Sequence, residues 1–180
     1  MSQPDAVRSA LLIIDMQLGL FRGAEVPHDG TRILANINTL VGRARSAGAP
    51  IYAARHTGPK GSPIEAGSPL WQLHPELAVD SAVDRVFDKT RPSCFAGTQL
   101  ADELGRARVE RLVIVGMKTQ YCVDTTCRAA SELGLQPVLV ADAHTCMDTP
   151  QLPAAAIIAH HNATLNGLFA RVQATDEVCF

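Results

Sequence analysis

The chain alternates short, wholly apolar runs with longer stretches in which apolar residues recur every three or four positions. The first run, residues 10–14, reads Ala-Leu-Leu-Ile-Ile and stops on Asp15. A strand that is apolar at every position has no face for water, which suits the middle of a parallel sheet. Ile33, Ile37, Leu40, Val41 and Ala44 then fall on one stripe, predicting a helix over 31–47 that Gly48 stops. The same rhythm predicts strands at 50–55, 84–89, 112–117, 137–142 and 169–172, and helices at 98–107, 121–133 and 152–166. Strand-helix alternation of this kind predicts an α/β domain, with a mainly parallel sheet and helices on both faces. Right-handed crossovers, with strand order reversing after the first strand, would bring the ends of strands one and four together.

Residues 56–82 break the rhythm. They are rich in Gly, Pro, Ser and His and hold the only tryptophan, Trp71. A stretch this long is either a lid or pocket wall, or a packed surface excursion. Residues 1–9 read as a polar lead-in and 175–180 as a short tail, with no repeat or linker between them.

Composition narrows the class. One domain covers 1–180, with 47% hydrophobic and 19% charged residues. A net charge of -2 and a pI near 6.3 leave no basic footprint for nucleic acid or an anionic membrane. No apolar run is long enough to span a bilayer, and the N-terminus does not read as a signal peptide. Five cysteines at irregular spacing predict free thiols and a cytoplasmic location, and no Cys/His cluster suggests structural zinc.

The chemistry-bearing stretch is 111–127: an apolar strand, Gly116, a polar turn, and a helix beginning around Tyr121-Cys122. A helix N-terminus lowers a thiol pKa, and its N–H groups can receive an oxyanion. Cys122 is therefore either a nucleophile or one more buried cysteine. Asp15 ends the first strand and could take the thiol proton and return it to a leaving amine. Lys89 ends the third strand and could hold Asp15, stabilise a thiolate or polarise developing charge; the two could equally form a structural ion pair. There is no dinucleotide fingerprint, phosphate loop or GxSxG elbow. His144 and His160-His161 read as hydrogen-bonding or packing residues. Cys94 stands out among the other thiols because it lies five residues after Lys89.

Residues 12–17 (Leu-Ile-Ile-Asp-Met-Gln), 88–95 (Asp-Lys-Thr-Arg-Pro-Ser-Cys-Phe) and 116–123 (Gly-Met-Lys-Thr-Gln-Tyr-Cys-Val) together resemble the isochorismatase-like cysteine hydrolases. The resemblance continues through 141–144 and 157–162, so it covers nearly the whole domain. It implies a Rossmann-like three-layer sandwich with a six-stranded parallel sheet, and a triad of Asp15, Lys89 and Cys122. It also implies a cis peptide between Met117 and Lys118, and an oxyanion hole from the backbone N–H groups of Lys118 and Cys122. Candidate substrate contacts are Gln17, Phe21, Trp71, Thr119 and Tyr121. The implied reaction is attack of Cys122 on an amide carbonyl, loss of ammonia or an amine, and hydrolysis of the thioester without a cofactor. Relatives commonly assemble, which implies a homo-oligomer, a dimer or tetramer, acting on a small-molecule amide.

Two departures refine the resemblance. Nicotinamidases of the family hold a metal through an Asp-x-His pair after the second strand; here residues 54–58 read Ala-Arg-His-Thr-Gly, so no metal and no nicotinamidase activity are expected. Lys118 stands where relatives often have a small or uncharged residue, and would favour an anionic or polar substrate if it faces the pocket. Residues 71–74 resemble the branch containing streptothricin-hydrolase-type and uncharacterised amide hydrolases. Isochorismatase-type vinyl ether hydrolysis and a non-catalytic, redox-sensing protein are the alternatives.

Overall fold

The computed structural model describes residues 7–23 and 25–180. The expected lead-in and the N-terminal reading fall largely on 1–6, outside the described residues. Six strands form one parallel sheet: β1 (Ser9–Ile14), β2 (Ile51–His56), β3 (Arg85–Lys89), β4 (Arg111–Met117), β5 (Gln136–Thr145) and β6 (Arg171–Gln173). Their order across the sheet is β3-β2-β1-β4-β5-β6. The helices are α1 (Leu18–Phe21), α2 (Gly30–Ser46), α3 (Leu100–Arg106), α4 (Asp124–Glu132) and α5 (Ala154–Leu165). None is long and apolar enough to cross a membrane.

Every residue of β1 is buried, because its side chains alternate between two cores. Leu11 and Ile13 pack with Val113, Val115 and the stripe of α2, which includes Ile33, Ile37 and Leu40. Leu12 and Ile14 pack with Leu112, Ile114, Leu100 and Leu104 of α3, and Cys127 and Ala130 of α4. This is the three-layer build expected from the sequence. β1 pairs with β4 in register from Ser9↔Arg111 to Ile14↔Gly116, so the order does reverse at β1 and opens a crevice at the strand ends.

Three local differences from the sequence reading matter for the site. The 121–133 helix is really one turn of π-helix, Thr119–Val123, followed by α4. The Lys118 carbonyl organises this turn, accepting from the N–H groups of Tyr121 at 3.1 Å and Val123 at 3.3 Å. Second, β5 runs past Asp142: its register with β4 shifts between Ile114 and Gly116, then resumes at Gly116↔His144. Asp142 is spent on structure, its Oδ1 accepting from the N–H and hydroxyl of Thr175, each at 2.8 Å. Third, a short helix, α1, follows β1, where the apolar pattern predicts no element. Residues 68–77 are stitched to it, with the N–H of Leu18 donating to Gln72 O and that of His74 to Met16 O.

Candidate active site

Asp15, Lys89 and Cys122 meet. Asp15 directly follows β1 and has a φ of 52°, a left-handed conformation that aspartate tolerates better than most residues. Lys89 ends β3, and its side chain is fully buried. Its Nζ lies 2.8 Å from Asp15 Oδ2 and 3.3 Å from Cys122 Sγ. The other carboxylate oxygen, Asp15 Oδ1, is buried with no hydrogen-bond partner among the described residues. Cys122 is half-buried, in the π turn.

Gly116 allows this approach. A Cβ there would collide with Ile14 O, and the φ of +114° is one that only glycine adopts freely. The Met117-Lys118 peptide is cis, as the resemblance implied. The N–H of Lys118 makes no hydrogen bond to any described residue.

Charge settles differently from the sequence reading. The expected lowering of the thiol pKa by a helix end is outweighed: burial, reinforced by the Asp15 charge, pushes Cys122 up to about 12. Burial also raises Asp15, although Lys89 opposes it. Burial pulls Lys89 down, but Asp15 and the neighbouring thiols outweigh that and hold the ammonium above its usual range. At neutral pH the cluster is a protonated thiol, a carboxylate easily protonated, and a firm cation.

His56 is the member the sequence reading missed. It ends β2, and parallel register sets it beside Lys89. Its Nδ1 lies 3.2 Å from Lys89 Nζ. One signal was available in the sequence: His56 directly follows the run predicted as the second strand, as Asp15 follows the first. Asp15, His56 and Cys122 present ligand atoms within 4.8 Å of one another, a spacing that could hold a metal. However, the Lys89 ammonium approaches all three within 3.3 Å, so a divalent ion in their midst would face a like charge.

The predicted substrate contacts separate. Gln17 is fully buried; both its N–H donors go to carbonyls, of His56 at 3.0 Å and Trp71 at 2.8 Å, and its oxygen accepts from His56 N at 2.7 Å. It clamps the loop to the end of β2. Trp71 is likewise committed, donating from Nε1 to Thr57 Oγ1 at 2.9 Å beneath the Arg55 guanidinium. The Thr119 side chain is fully buried, its hydroxyl 2.9 Å from His144 Nδ1. Phe21 packs its ring against His74, with centroids 4.6 Å apart. Tyr121 alone of the five is more than half exposed, at 55%, and it adjoins Cys122.

Of the remaining residues, His144 has the hydrogen-bonding role expected, and His161 bonds Ile157 O at 2.8 Å. Cys94 is buried, which pushes its thiol up to about 12. A surface hollow of about 390 Å³, lined by Arg8, Ser9, Ala49, Pro50 and Val109, lies at the opposite ends of the strands, away from this chemistry.

A doubly wound parallel sheet with a buried Asp-Lys-Cys cluster at its switch point defines the class of protein. A profile of the isochorismatase domain matches residues 9–177, and the chain belongs to that family of hydrolases. Streptothricin hydrolase of Streptomyces noursei is 37% identical over 145 residues, covering 80% of this chain and 52% of that protein. The chain thus spans about half the length of that relative. An isochorismatase structure from Pseudomonas putida superposes with a TM-score of 0.88 at 30% identity, covering 98% of this chain and 94% of that one. A cysteine hydrolase from Pseudomonas syringae pv. phaseolicola also superposes at 0.88, with 25% identity and coverage of 98% and 96%.

Proposed function

We propose that the protein is a cofactor-free cysteine hydrolase of a small amide, with Cys122 as nucleophile, Asp15 as the proton carrier and Lys89 as the fixed cation. The observation that carries this is the buried, unpartnered Asp15 Oδ1 next to a thiol that shares Lys89 with it. As sulfur attacks the carbonyl carbon, its proton moves to Asp15, and the thiolate is met by the Lys89 ammonium. The oxyanion is received by the N–H groups of Lys118 and Cys122. Asp15 then gives the proton to the leaving nitrogen, the C–N bond breaks, and ammonia or an amine departs. Water attacks the thioester, Asp15 accepts its proton, and the acid leaves as the thiol reforms.

Ether hydrolysis needs no thiol nucleophile, so an intact Cys122 within reach of a proton acceptor favours the amide. A redox sensor needs an acidic, accessible thiol, which the high pKa of Cys122 argues against. The relative named for streptothricin hydrolysis and the cysteine hydrolase of matching fold support the same reaction class. Tyr121 is the proposed substrate contact, in a cytoplasmic homo-oligomer. The test is ammonia release from nicotinamide, ureido acids, maleamate and a cyclic lactam, run beside Cys122→Ala. Release abolished in the variant is expected. Equal release from both proteins would end the proposal.

A further inference from the structure

The Lys89 ammonium has three N–H donors and four neighbours. They are Asp15 Oδ2 at 2.8 Å, His56 Nδ1 at 3.2 Å, Arg91 O at 3.2 Å and Cys122 Sγ at 3.3 Å. An ammonium can only donate, so His56 Nδ1 must accept, and the imidazole proton must sit on Nε2. A neutral thiol is a poor acceptor, so at rest the three donors are directed to Asp15, Arg91 and His56. When Cys122 loses its proton the sulfur becomes the stronger acceptor, and one donor must turn to it.

We infer that His56 is a positioning residue: its Nδ1 holds the third donor of Lys89 at rest, keeping the ammonium within reach of Cys122, and yields that donor to the thiolate. Three features make it suitable. His56 lies beside Lys89 by strand register, so its ring and the lysine stem share one face of the sheet. Its peptide is gripped on both sides by Gln17, which accepts from His56 N and donates to His56 O. It is also kept neutral: burial and the adjacent Lys89 charge lower its pKa, against the opposing pull of Asp15. Without this acceptor Lys89 would keep only Asp15 and a backbone carbonyl, and its long stem could swing off the sulfur.

This deepens the hydrolase reading but is tested on the thiol itself, so the result stands whether or not any amide is cut. Alkylation of Cys122 by iodoacetamide is followed at its own peptide by mass spectrometry, at one pH, in the wild type and three variants. In His56→Asn the amide oxygen takes the place of Nδ1, whereas in His56→Gln it reaches instead toward Nε2; His56→Leu has no acceptor. The asparagine variant is expected to react at close to the wild-type rate. The glutamine and leucine variants are expected to be slower by about tenfold or more, as for a thiol pKa about one unit higher. The inference is overturned if the glutamine variant reacts as fast as the asparagine variant, or the asparagine variant as slowly as the glutamine one. Melting temperatures confirm that the compared variants are folded; should the leucine variant fail to fold, the asparagine–glutamine pair still decides.

Discussion

Two buried polar clusters sit close together in this protein and differ in charge and in the satisfaction of their hydrogen bonds. Around Lys89, a carboxylate oxygen has no partner among the described residues, and a half-buried thiol shares its cation with three other groups. Behind the nucleophile turn, Thr119 Oγ1 bonds His144 Nδ1, and His144 Nε2 meets Asn162 Oδ1, each at 2.9 Å. That second cluster is neutral: burial lowers the pKa of His144 to about 4. An incompletely satisfied buried group holds free energy that a reaction can use, whereas a satisfied one holds its neighbours still. The two clusters meet within one turn, since Thr119 belongs to the second and Cys122, three residues on, to the first.

The sharpest division of roles is expected from Cys122→Ala. Amide hydrolysis should fall by about 10³-fold or more, while a chemical melt shows stability nearly unchanged. A large stability loss would mean that the thiol is a packing residue. Lys89→Met should damage both properties, because it strands the Asp15 carboxylate in the core. About 3–5 kcal/mol of stability should be lost in urea titrations near neutral pH, with activity lost as well.

Gly116→Ala tests the joint on which the first cluster depends. The added Cβ meets Ile14 O and the backbone is left at positive φ, so a loss of about 3 kcal/mol or more is expected. The second cluster should report through acid stability. Unfolded, His144 takes its proton near pH 6.5; folded, only near pH 4. The folded state therefore binds fewer protons in that window. Its contribution is complete above pH 6.5 and falls by up to about 3 kcal/mol as the pH drops through the window. Thr119→Val should be mildest, costing about 1–3 kcal/mol by leaving His144 Nδ1 unpaired. Thermal melts with and without the substitution would measure it.

Asp15, Lys89 and Cys122 were each readable as polar residues at strand ends or in the turn after a strand, and the resemblance joined them. His56 was passed over because its sequence neighbours suggested only a missing metal ligand. Its importance lies in register with Lys89, thirty-three residues away. Gln17, Trp71 and Thr119 are candidate substrate contacts on the resemblance. Proximity in sequence does not say which way a side chain's donors point, and all three are spent internally. The thiol pKa was misjudged for a related reason, since a helix end is visible in sequence and burial beside a carboxylate is not.

The order of apolar runs and stripes by itself determined the α/β class, the two cores and the strand ends at which polar residues gather, because hydrophobic periodicity acts locally. Only the tertiary structure decided that β1 lies between β2 and β4, that Gly116 lets the turn close on Asp15, and that one ammonium serves four neighbours. Those are long-range distances, and they are set by packing many elements at once.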